Sequence, residues 1–206
     1  MEDILDLSIS EREKDFVKDG LDLELDILAN ILENLENIPY IGSLIKLGRL
    51  GKNFCDLHYV KKLARFLDKE QNLSSQVKEQ FINSLDKNKR KKIYEYVVHY
   101  LLRAEDEEKA DLMGYLYKST VAGIIEPELF LRLCSVVDRS FIDDLKKLPY
   151  YVEAKSDFSI TTNSFINLGL IDNFQGGVWI DEPSYKLNAV GMTLYQILND
   201  NHWLDN

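Results

Sequence analysis

A mainly helical protein with a small β-hairpin near its C-terminal end is the fold class this sequence predicts, and three observations carry it. From residue 93 to residue 148 apolar side chains recur every three or four positions, the spacing that lines one face of a helix. Only four prolines and ten glycines interrupt 206 residues, of which 45% are apolar and 29% charged, so an ordered chain can bury a real core. After Leu148 the character changes to a short helical stretch, β-prone runs around Gly176 and Gly177, and a last helix. This divides the chain into a helical domain over residues 1–125 and a smaller module over residues 126–206.

Taken in order, residues 1–10 read as frayed and a first helix begins near Glu11. Residues 21–27 alternate like a strand, but Leu25, Leu28, Leu32 and Leu35 continue at helical spacing, and Asp and Glu are poor strand formers. The polar face of this helix is acidic, through Asp22, Glu24, Asp26, Glu33 and Glu36. Pro39 then breaks the chain, and one long helix is expected from Gly42 to Leu67. Three glycines, Gly42, Gly48 and Gly51, sit among its apolar residues at a cost of about 1 kcal/mol each, which points to close packing or a mobile element. Two readings compete. The small residues let the acidic helix approach, or Leu44, Lys46, Leu47, Arg49, Leu50 and Lys52 form a face for a partner or an anionic bilayer surface.

Ser74 or Ser75 caps a short helix carrying Val77, Phe81, Ile82 and Leu85. Lys87, Lys89, Arg90, Lys91 and Lys92 open the next helix, where the helix dipole disfavours cations. The bland reading is a solvated corner, yet these five are the best phosphate-contact candidates in the chain. Two stripes, Ile93, Val97, Leu101 and Tyr94, Val98, Leu102, predict that most of this helix is covered, with His99 a hydrogen-bonded core histidine. Residues 103–111 form a charged corner, Leu112, Leu116, Val121 and Ile125 continue the apolar series, and Pro127 starts a helix with Leu129, Phe130, Leu133 and Val137.

Beyond Tyr151 we expect a helix over 162–168, strands over 170–174, 178–180 and 185–187, and a helix over 189–198 capped by Asn188. Helix, strand, glycine wing, strand, helix is the winged-helix order, here in degenerate form. The recognition-helix stretch TTNSFINLG has no Lys or Arg, and residues 149–206 hold seven acids against two bases. Phosphate contacts dominate DNA affinity, so the module reads as a protein-contact or packing unit and specific DNA binding is disfavoured.

The net charge of −10 is unevenly spread. Residues 1–36 hold twelve acids and three bases, residues 37–103 six and fourteen, and residues 104–206 seventeen and eight. Either the acidic ends neutralise the basic middle or the middle faces phosphate. Cys55 and Cys134 match no metal spacing and read as reduced core residues. His58 follows Cys55 by three, but no third ligand is near, so no metal is expected. No phosphate loop, nucleophile elbow or HExxH occurs, which argues against an enzyme and leaves no cofactor to assign. The acidic N-terminus is unlike a signal peptide, and the longest uncharged run, residues 158–171, is short and polar.

The segments IPYIGSLIKLGRL, KKLARFL, RAEDEEKADLMGYLYKSTVAGIIEPELFLRL, FIDDLKKL, NLGLID and YKLNAVGMTLYQIL resemble a widespread set of uncharacterised helical proteins of bacteria, phages and mobile elements. They are also loosely similar to the abortive-infection alpha family. The resemblance implies a role in phage–host conflict, in defence or counter-defence; the residues themselves give the expectation of a cytoplasmic, non-enzymatic interaction protein, with the glycine-rich helix as the candidate contact to the inner membrane face. The expected partner is another protein, a second copy of the chain among the candidates. The alternatives are a winged-helix nucleic-acid regulator and an acidic decoy of a nucleic-acid-binding partner. If the acidic first helix latches the glycine-rich one, full-length protein will ignore liposomes, and deletion of residues 1–36 will confer co-sedimentation with anionic but not neutral vesicles. A folded truncation that stays in the supernatant leaves packing as the reason for the glycines.

Overall fold

The computed structural model describes residues 55–156, 158–174 and 183–205, and residues 61–206 form one compact unit. Helix α1 spans Cys55–Asp68, α2 Ser75–Ser84, α3 Lys87–Arg103, α4 Glu107–Val121, α5 Pro127–Arg139 and α6 Ile142–Leu145. A 3-10 turn, Leu148–Tyr151, leads to α7 (Ile160–Leu168), strands β1 (Ile171–Phe174) and β2 (Ser184–Leu187), α8 (Ala189–Asp200) and a last 3-10 turn, Trp203–Asp205. The described part is thus mainly helical with one antiparallel hairpin, in which Ile171 pairs with Leu187 and Phe174 with Ser184. The glycine-rich stretch, with Leu44, Lys46, Leu47, Arg49, Leu50 and Lys52, lies outside the described residues, as do the acidic first helix and the expected strand at 178–180.

Local chemistry sets the helix starts. Ser74, Asp86, Asp106, Ser159 and Asn188 each accept backbone N–H bonds at an N-cap, and Pro127 occupies the first turn of α5, where its missing donor costs nothing. The Asp86 carboxylate accepts from the Asn88 and Lys89 N–H groups at 2.8 and 2.9 Å, placing a negative charge where α3 opens with cations.

Helix α4, rather than α3, is the enclosed one. Eleven of its fifteen residues are buried, against five of seventeen in α3, and it packs on α2, α5 and α8. Tyr117 is its aromatic centre, with ring centroids 5.2 Å from Phe66, 6.1 Å from Phe81 and 5.8 Å from Phe130. The expected double stripe on α3 is therefore corrected to a single one: Ile93, Val97, Val98 and Leu101 are buried, but Leu102 is 53% exposed and Tyr94 only half-buried. His99 is exposed beside Tyr100 and is no core histidine. The boundary expected between residues 125 and 126 falls inside the compact unit, between α4 and α5, which pack together.

A close approach explains one glycine. A Cβ on Gly114 would lie 2.6 Å from the Phe66 carbonyl oxygen and 2.8 Å from Lys69 Cγ, so only glycine lets the backbone end of α1 come this near to α4.

The carboxy-terminal elements are tied to one another by Asn188. Its Oδ1 accepts from Val190 and Gly191 at the start of α8, while its Nδ2 donates to the Gly169 carbonyl and to Asp172. Lys155 forms a further antiparallel bridge with Tyr185 on the free side of β2. Leu112, Leu116, Phe130 and Leu133 all have 0% exposure. Replacing Leu116 or Leu133 by Ala will therefore cost roughly 2–5 kcal/mol in chemical denaturation. Wild-type stability in both variants would show that these faces do not meet in the core.

Candidate interaction surface

Four charged groups organise the packing of α1 on α4. Arg65 donates through Nε to both oxygens of Asp111, each at 3.2 Å, through Nη2 to Asp111 Oδ2, and through Nη1 to Glu107 at 3.1 Å. Lys69 reaches Asp111 Oδ1 at 3.0 Å with its ammonium 5.4 Å from the Tyr115 ring centroid. The hydrogen bond that Arg65 donates to Asp111 raises its guanidinium pKa against partial burial. Burial works against the charge on Lys69, but Asp111 outweighs it and the ammonium pKa rises too.

The second half of the expected charged corner, residues 107–111, is the first turn of the enclosed helix, with Lys109 and Asp111 both buried. Lys109 donates to the Asp138 carbonyl at 2.8 Å, and Arg103 pairs with the Asp138 side chain at 3.2 Å.

Of the phosphate-contact candidates, Lys89 pairs with Glu128 at 3.3 Å and Lys91 with Glu95 at 3.6 Å. Arg90 donates to the Ile82 carbonyl at 2.6 Å and to that of Leu85 at 3.3 Å, closing the end of α2, while Lys92 stands over the Tyr96 ring. Four of the five thus make contacts within the chain, while Lys87, Lys89, Lys91 and Lys92 remain exposed. Glu128 is held below the usual carboxylate range by its own backbone N–H at the start of α5 and then by Lys89.

Helix α7 is held rigidly and presents a neutral face. Ser159 and Thr162 form a capping box, and the Tyr151 hydroxyl lies 2.8 Å from Thr162 Oγ1 and 3.3 Å from Ser159 Oγ. Thr161 Oγ1 donates to the buried Asp144 at 2.7 Å and accepts from Lys147 at 2.9 Å. Asp144 therefore anchors α7, a stronger role than the helix-start acid expected from sequence. Phe165 packs edge-on against Tyr151 at 5.4 Å, and Gly169 ends the helix at φ 69°, a conformation glycine adopts without strain. These contacts bury Thr161, Thr162, Phe165 and Leu168 and turn Ile160, Asn163, Ile166 and Asn167 outward. Ile160 is 89% exposed, and Phe158, just before the helix, 65%. The stretch TTNSFINLG had shown the lack of cations; that two isoleucines face outward needed the fold.

An open groove of about 610 Å³ lies between α4 and α8, with Lys118, Ile124, Glu126, Gln196 and Asp200 in its lining and the Lys118–Asn201 hydrogen bond of 2.9 Å beside it. A smaller cleft of about 390 Å³ is edged by Glu105, Asp106, Glu108, Asp143 and the exposed Phe141. Among the described residues no three His, Cys, Asp or Glu side chains come together to hold a metal, and no helix is long and apolar enough to cross a membrane. The side chains of Cys55 and His58 lie outside the described ones. Cys134 is buried and unbridged, with its thiol pKa pushed well up by burial. No family model, curated protein or solved structure matches the chain.

Glu70, buried after α1, has Lys78 at 3.6 Å, but burial prevails over that cation and raises its carboxyl pKa. A carboxyl whose folded pKa exceeds its unfolded value takes up its proton preferentially in the folded state. It destabilises the fold at neutral pH, and this cost disappears as pH falls through the raised pKa to below the ordinary 4.5. Glu70→Gln will thus raise the melting temperature at pH 7, with the gain shrinking towards pH 4; a variant less stable than wild type at pH 7 would mean that the Lys78 contact outweighs desolvation.

Proposed function

We propose that this protein is a non-enzymatic interaction component that engages a protein partner through the exposed face of α7. The observation that carries the reading is the composition of that face: Ile160, Asn163, Ile166 and Asn167, with Phe158 leading in, and no cation among them. The order helix, strand, strand, helix over α7 to α8, with the Lys155 bridge beside β2, supports a degenerate winged helix in which α7 holds the recognition position. Phosphate contacts from Arg and Lys supply most of the affinity of a DNA-reading helix, and this one has neither residue. The use of Arg90 to close α2, and the pairing of Lys89 and Lys91 with Glu128 and Glu95 at the surface, favour the structural reading of that cluster over a phosphate site. The resemblance to proteins of phages and mobile elements supplies the biological context we propose, phage–host conflict.

A photo-crosslinking residue at position 160 will yield a discrete protein conjugate in cells, whereas the same probe at the exposed position 102 will not. Fluorescence polarisation will detect no sequence-specific duplex binding at physiological salt. Specific duplex binding that is lost on changing Asn163 or Asn167 would replace this reading with the winged-helix regulator.

A further inference from the structure

We propose that the partner met by α7 is a second copy of the same chain, packed face to face about a two-fold axis; the inference rests on the protein-contact reading above. Charge is the first argument. The chain carries a net charge of −10, and residues 149–206 hold seven acids against two bases, so a basic partner would be recognised through carboxylates. Yet residues 158–171 form the longest uncharged run of the chain, and the outward face of α7 lies within it. A charge-free face on an acidic molecule is where two like-charged copies can meet without opposing like charges.

The second argument is self-complementarity. A two-fold interface places the same patch against itself, so each group must serve as its own complement. Isoleucine against isoleucine does so, and an Asn amide carries both donors and an acceptor, so Asn163 and Asn167 can each bond their own counterpart. The charge next to this face, Lys147 beside Thr161, is paired with Asp144, whereas Phe141 borders a cleft edged by Glu105, Asp106, Glu108 and Asp143. Rigid support of α7 by Tyr151, Asp144 and the Ser159–Thr162 box presents the face preformed, which lowers the ordering cost of association.

Sedimentation equilibrium of the full chain tests this. The expected result is a dimer whose dissociation constant falls as salt rises, because screening relieves repulsion between acidic copies. Ile160→Asp and Asn163→Lys will each weaken it roughly tenfold or more while leaving the melting temperature of the monomer unchanged, since both side chains are exposed; Leu102→Asp will leave it intact. A monomer at high micromolar concentration, a dimer indifferent to both α7 variants, or one that weakens with salt overturns the proposal. The crosslinker at position 160 separates the two readings. A conjugate of twice the chain mass supports self-association, a conjugate with a different protein overturns it but keeps the protein-contact reading, and no conjugate overturns both.

Discussion

Asp111 is the point on which the packing of this protein turns. A carboxylate in a mostly buried helix is costly unless it is met by cations, and here Arg65 grips it with a planar fork while Lys69 approaches from the same helix end. Gly114, one turn further on, removes the side chain that would hold α1 away, and Tyr115 gives the Lys69 ammonium an aromatic face. The three positions 111, 114 and 115 thus act together on one face of α4. Without the ion contacts, the helix that joins α2, α5 and α8 could not carry charged residues inside.

The same logic runs through the helix ends. Lys62 donates to the Ala104 carbonyl closing α3, Lys109 to the Asp138 carbonyl near the end of α5, and Arg90 to carbonyls closing α2. Each places a cation at the negative pole of a helix dipole, where the last carbonyl oxygens can accept further donors. Among the described residues of the basic middle, Lys62 and Arg90 are used this way, and Arg65, Lys69, Lys89 and Arg103 meet Asp111, Glu107, Glu128 and Asp138. Of the two readings of the uneven charge, internal neutralisation accounts for these residues. What remains outward on α7 itself is neutral: Ile160, Asn163, Ile166 and Asn167.

Several features were legible because they are local. The caps at Ser74 and Asn188, the proline start of α5 and the last helix all follow from residues within a few positions of one another. The lack of cations on the recognition-position helix could be read by eye. Ile160 was harder to see, because it precedes the expected start of that helix by two residues; the Ser159–Thr162 box, a local signal, would have moved the start to where it lies.

The sequence by itself determined the helical class, the order of elements and the neutral character of α7, since propensity, periodicity and capping act over one or two turns. Only the tertiary structure decided that α4 is enclosed and that Leu102 and His99 face outward. An apolar stripe announces a buried face, but a helix bearing Glu107, Lys109 and Asp111 reads as surface until partners such as Arg65, 46 residues away, are known. Burial of charge depends on contacts far apart in the chain, and periodicity carries no record of them.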